Sequence, residues 1–175
     1  LESLNQRPQP DEFAEFYKNY IKKIPDGKCA ALLESQIDEL REFFRNVSET
    51  QATTIHASYT WTIKQVIGHL IDGERVFSDR LLRFSSGEQQ PQPGFDQDFY
   101  VTQQDYETPT LSALVEELLH CRQANLLLIR RLKPSAFDLR GVASGYECTV
   151  RALVWMLVGH IAHHMNIVRQ RLAQG

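Results

Sequence analysis

Apolar residues recur every three or four positions along most of this chain, the spacing that lines one face of an α-helix. Leu32, Leu33, Ile37, Leu40, Phe43 and Phe44 predict a helix over 28–46. Val66, Leu70, Phe77, Leu81 and Phe84 predict another over 62–85. Its start is marked by "TIKQ", where Thr62 and Gln65 form a capping-box pattern able to satisfy the free N–H groups of a first turn. A third helix is predicted over 110–132, behind Pro109, and a last one over 149–172. A shorter helix over 11–22 would turn Phe13, Phe16, Tyr17, Tyr20 and Ile21 inward and end before "PDG" at 25–27. Alternating β-branched positions extend no further than a few residues around Thr53 to Ser58, so no sheet is expected.

The expected fold class is therefore all-α: a four-helix bundle with a short extra N-terminal helix, forming one domain over residues 1–175. The connections are too long for a simple up-and-down bundle, where about 2–8 residues suffice. The segment "GEQQPQPGFDQDFYVTQQDYETPT" from Gly87 to Thr110 is long enough for a crossover along the bundle. Its aromatic residues, Phe95, Phe99, Tyr100 and Tyr106, argue that it packs down as a wall or lid over a pocket.

With 175 residues and 42% hydrophobic content, the chain can bury a sizeable core without staples. The formal net charge of -3, with Lys and Arg scattered singly or in pairs, argues against nucleic acid as a partner. No stretch approaches the ~20 apolar residues of a membrane span. Three cysteines without a CxxC spacing suggest neither a disulfide framework nor a cysteine metal cluster. A soluble, cytoplasmic protein is expected.

The unusual feature is "GHIAHHMNI" at 159–167, which puts three of the six histidines into an otherwise apolar helix. At about 100° per residue, His160 and His164 fall at the edge of the apolar stripe while His163 points outward. An i, i+4 pair lies on one helix face and can reach a single ion. The same arithmetic on 62–85 places His69 at a core edge, with Gly73 one turn on leaving space and Arg80 facing inward. An inward arginine needs an anionic partner or a wet cavity. Three histidines from two helices would leave a tetrahedral ion one open position, as catalytic sites do. Asp72, three residues after His69, is a candidate to orient a ligand, with a solvated acid as the simpler reading. His56 and His120 read as surface residues. The HExxH pattern of zinc proteases is absent, since Ile161 follows His160.

Taken together, "WTIKQVIGHLIDGERVFSDRLLRF", "PGFDQDFYV" and "TVRALVWMLVGHIAHHMNIVRQRL" resemble the DinB-like (DinB/YfiT) superfamily of metal-dependent enzymes, over about residues 13–172. In that family a tryptophan and a hydroxyl residue precede a helix bearing one histidine, and a histidine pair lies in the last helix. These features fall on Trp61 and Thr62, on His69, and on His160 with His164. The resemblance implies an up-down-down-up bundle and a divalent metal, zinc or nickel, on the three histidines. Ile161 stands where some members carry glutamate, so no acid–base role transfers to it.

The resemblance also implies chemistry on small molecules, since characterised members include transferases that conjugate low-molecular-weight thiols such as bacillithiol, and a mycothiol-dependent isomerase. The first expectation is a metal-dependent thiol S-transferase acting on a small electrophile. Arg80 and Asp72 are its candidate catalytic groups, and Trp61, Gly73, Phe95, Asp96, Phe99 and Tyr100 its candidate pocket. The alternatives are a metal-dependent hydrolase and a non-enzymatic helical binding protein related to stress, with a structural or vestigial metal site. A homodimer is compatible with the exposed faces of aromatic-rich helices.

Overall fold

The computed structural model describes residues 2–174. Four long helices dominate: α2 (Cys29–Phe44), α4 (Ile63–Ser85), α6 (Leu111–Arg130) and α7 (Val150–Gln174). Short helices α1 (Lys18–Ile21), α3 (Glu49–Thr53) and α5 (Gln97–Gln103) decorate them. The capping box at the head of α4 forms as the sequence predicts, with Thr62 Oγ1 accepting from the Gln65 N–H and the Gln65 side chain accepting from the Thr62 N–H. Thr110 caps α6 with its hydroxyl alone, which accepts from the Ala113 N–H.

Helix directions follow from which residues meet. Along α4 and α6 the partners rise together: Thr62 and Lys64 reach Glu107 just before α6, and Glu74 and Arg75 meet Arg122 and Glu117 farther on. These neighbours are parallel. Against α7, His69 meets His160 while the earlier Trp61 meets Arg171, so that pair is antiparallel. Glu34 with Arg130 and Arg41 with Glu116 make α2 antiparallel to α6. In chain order the long helices thus run up, down, down, up, with the segment between α4 and α6 as the crossover. No helix among the described residues is long and apolar enough to cross a membrane.

Three local expectations need correction. The helix expected over 11–22 is broken into 3₁₀ turns at Pro10–Glu12 and Glu15–Tyr17 followed by the single turn of α1, with Phe13 fully extended between them. Tertiary contacts override propensity here: Glu12 is drawn inward to Thr149 Oγ1 and Arg151 Nη1, each at 2.9 Å. Phe16 consequently stays 52% exposed instead of entering the core.

A β-hairpin, which the alternation did not indicate, joins α6 to α7: β1 (Arg140–Ala143) pairs antiparallel with β2 (Tyr146–Thr149). Its two-residue turn, Ser144-Gly145, has positive φ at both positions (55° and 82°), which matches the twist a tight hairpin demands. The crossover is also more ordered than a plain loop, since it contains α5, capped by Asp96.

Candidate metal centre

The apolar core divides into two clusters, one around Trp155, Phe77 and Phe84, the other around Ile67, Leu118 and Met165. The three histidines lie where these clusters meet. Nε2 of His69 is 2.9 Å from Nε2 of His160, and one ring nitrogen from each of His69, His160 and His164 falls within 4.8 Å of the others. The ring centroids form a near-regular triangle with sides of 4.8, 4.8 and 4.6 Å.

Neighbouring residues hold this arrangement. Gly73 faces the His160 ring so closely that a Cβ there would stand 2.9 Å from Cε1. Trp61, half-buried, packs its indole 5.3 Å from His69, and Tyr20 meets His160 edge-on at 5.4 Å. His163 lies outside the triplet, its ring against His164 and Tyr20. His56 is half-buried in its loop and His120 is exposed.

Electrostatics prepares these imidazoles as ligands. Burial, followed by the charge of His163, lowers the pKa of His69 from 6.5 to about 4. Burial, with His69 and His163, lowers His164 to about 2. His160 is held well below its ordinary value by burial and then by His164, His69, His163 and Arg122. At neutral pH all three rings are uncharged and offer lone pairs, as a metal ligand must. Among the described residues, buried Nε2 of His164 has no hydrogen-bond partner, nor has Nδ1 of His69, the ring nitrogen other than the one facing His160. Neutral, converging imidazole nitrogens without competing protein partners other than one another are a donor set that suits a zinc-like divalent ion.

An open cleft of about 370 Å³ leads to His69 and His160. Its walls include Phe16, Tyr17, Phe77, Phe95 and Ser144. Of the crossover residues offered as pocket candidates, Phe95 lines this cleft. Tyr100 lines an adjoining hollow with Arg80, while Phe99 is 57% exposed and Asp96 is exposed as the cap of α5. Sequence reasoning missed Tyr17, Tyr20, Gly94 and Ser144. Only the aromatic spacing of "FYKN" and "Y" at 16–20 carries any signal, and it points to the core.

The two carboxylates of α4 nearest the cluster in sequence are occupied elsewhere. Asp72 accepts a 2.7 Å bond from the Tyr106 hydroxyl and touches no histidine of the cluster. Burial raises its pKa, opposed by Tyr106 and Arg75. Glu74 is buried against Arg122 and Asn125 at 2.6 and 2.8 Å. Among the described residues, the group able to hold a metal is made of histidines alone.

A parallel-neighbour helical bundle with a largely buried three-histidine cluster at the head of an open cleft defines a class of helical proteins equipped to hold one metal ion. The comparison with protein families makes the assignment specific: the DinB superfamily pattern matches residues 32–168, and the chain belongs to that family. Among proteins of curated function, none matches. Solved structures share the fold, among them the following two. YfiT from Bacillus subtilis, described as a probable metal-dependent hydrolase with an unusual four-helix bundle topology, superposes with a TM-score of 0.73 at 19% identity over 96% of this chain and 94% of its own. A mycothiol-dependent maleylpyruvate isomerase superposes with a TM-score of 0.67 at 14% identity, over 83% of this chain and 61% of its own.

Proposed function

We propose that this protein is a metal-dependent enzyme that activates a low-molecular-weight thiol on a divalent ion, zinc or nickel, for transfer to a small electrophile. The observation that carries the reading is the convergence of His69, His160 and His164 on one point with no carboxylate in the group. The chemistry a bound divalent ion supplies here is a lowered pKa for a thiol, or for a water in a hydrolytic reaction. Hydrolysis by such a site ordinarily draws on a nearby carboxylate as base. Asp72, Glu74 and Asp96 are engaged with Tyr106, with Arg122 and Asn125, and with the head of α5, and Asp98 is exposed on α5 outside the histidine group. A thiol needs no such base, since its proton passes to solvent.

The chain's own residues then have definable tasks. The neutral imidazoles hold the ion, and Trp61 and Gly73 fix the rings of His69 and His160. Phe16, Phe77 and Phe95 give the electrophile an apolar wall and limit water. The isomerase neighbour's use of mycothiol favours this reading, and YfiT's description favours hydrolysis as the second one.

The test compares zinc- and nickel-loaded protein on a generic electrophile with several small thiols, and on ester and amide substrates at equal metal loading. Conjugation that requires metal and disappears in His160→Ala is the expected result. Metal-dependent ester or amide cleavage without conjugation would establish the hydrolase instead. Each of His69→Ala, His160→Ala and His164→Ala should lose most of its metal with helicity retained, and His163→Ala should keep it.

A further inference from the structure

Arg80 is 2% exposed and, among the described residues, has no carboxylate within 4.0 Å. Its hydrogen bonds go from Nη2 to Pro93 O at 2.8 Å and to Ser144 Oγ at 3.1 Å, and the Tyr17 hydroxyl lies beside the guanidinium. All of these neighbours are neutral. A buried cation without an anion is costly, and the other buried arginines avoid that cost. Arg122 pairs with Glu74 at 2.6 Å and Arg151 with Glu12 at 2.9 Å. Arg171 has no acid within 4.0 Å among the described residues, but it sits over the Tyr59 ring at 4.7 Å in the last turn of α7, where the helix dipole favours positive charge.

The position of Arg80 relative to the histidines is also particular. Gly73, which touches His160, and Arg80 are seven residues apart on α4, hence on one face and about 10 Å apart along the axis. Phe77 lies between them in the wall of the cleft. Tyr17 and Ser144, both beside Arg80, line the histidine cleft, and Arg80 itself lines the adjoining hollow, which shares Gly94 and Phe95 with it. Other charges of that hollow are already matched: Arg75 pairs with Glu117 and Asp79 with Arg83. One cation is therefore left over.

We propose that Arg80 is the specificity residue of this cleft and binds the carboxylate of a monoanionic organic acid. The apolar body of that acid lies on Phe77 and Phe95, and its reacting atom reaches the histidine cluster within about 10 Å. The inference rests on the reading of the cleft as the place where substrate meets the metal, and adds to it the substrate's class. A carboxylate matches the planar fork of a guanidinium, and a single unmatched positive charge suits a monoanion better than a phosphate dianion.

The experiment titrates 3-phenylpropionate, its neutral amide and inorganic phosphate into zinc-loaded and metal-free protein, with binding followed by NMR. The acid should bind both forms about ten-fold or more tighter than the amide, the scale of one charge-assisted contact, and tighter than phosphate. Arg80→Gln should lose that preference while its zinc affinity stays that of the wild type, and Arg80→Lys should retain part of it. Equal binding of acid and amide, no binding of the acid, tighter binding of phosphate, or an intact preference in Arg80→Gln would each overturn the proposal. Should Arg80→Gln fail to fold, Arg80→Lys carries the comparison, and a preference for the acid undiminished in it would overturn the proposal. Because the metal-free arm needs no ion, failure of the wild type to bind zinc would refute the metal reading while the acid–amide comparison still reports on Arg80.

Discussion

A methyl group added at Gly73 would stand 2.9 Å from Cε1 and 3.1 Å from Nδ1 of His160, inside ordinary carbon contact distance. The ring must then swing away from His69 Nε2, now 2.9 Å distant. Gly73→Ala should therefore lower zinc affinity about 10- to 100-fold, as losses of ligand orientation do. Helicity should be unchanged or higher, because alanine is the better helix former. A chelator-competition titration measures the first and circular dichroism the second. Unchanged affinity would mean that His160 has room to move. The cysteines bear on the source of the reacting sulfur. Burial pushes Cys29 up to about 12 and Cys148 to about 11, so at pH 8 almost all of each is unreactive thiol. Iodoacetamide at pH 8 should label half-buried Cys121 first, leaving Cys29 and Cys148 intact until the pH nears their pKa or the protein unfolds. Rapid labelling of Cys148, the thiol beside Arg80, would reopen the question of a nucleophile supplied by the chain itself. The parts of the site legible in the sequence are those on long regular helices, where about 100° per residue directs His69, His160, Gly73 and Arg80 inward. Phe16, Tyr17 and Ser144 reach the cleft through broken turns and a hairpin, whose paths no periodicity encodes.

The crossover between α4 and α6 is fastened at both ends. Near its start Gln92 pairs with β1, its N–H donating to Val142 O and its carbonyl accepting from the Ser144 N–H. Near its end the Tyr106 ring covers Gly68, where a Cβ would come within 2.4 Å of ring carbons, and its hydroxyl donates to Asp72. Tyr106→Phe keeps the ring in place and removes only the hydrogen bond. It should cost about 1 kcal/mol, readable in urea, and raise amide exchange over 97–109 more than in the four long helices. Uniform exchange across the protein would show that the fastening is not local. Helix ends were legible where side chains do the capping, as Thr62 with Gln65 and Thr110 show. The break of the 11–22 helix into 3₁₀ turns ahead of α1, the hairpin and α5 were not. The first depends on Glu12 reaching Thr149 and Arg151 far along the chain, and α5 is too short for its own pattern to stand out.

Across the whole bundle, polar residues form a layer between the two apolar clusters, at the level of the histidines. Gln36 of α2 donates to Val158 O, Arg122 of α6 donates to Leu157 O, and Glu74 of α4 accepts from Arg122 and Asn125. All four side chains are buried. Burial raises the pKa of Glu74 and lowers that of Arg122, and the 2.6 Å contact between them opposes both shifts. Such a pair adds little net stability over an apolar one, because desolvating two charges offsets their attraction, yet removing one partner strands the other. Glu74→Ala should therefore destabilise the protein by about 3–5 kcal/mol, with the Arg122 cation left in the core. Glu74→Met combined with Arg122→Met should recover most of that loss, since similar volume is restored without charge. Urea denaturation of the single and double variants measures both. The same layer meets the site, because Gly73 adjoins Glu74 on α4 and the Arg122 charge helps to hold the His160 ring neutral. If the pair serves to set the register of α4 against α6 and α7, the double variant should regain stability while binding zinc more weakly than wild type. Full recovery of both would confine the pair to stability alone.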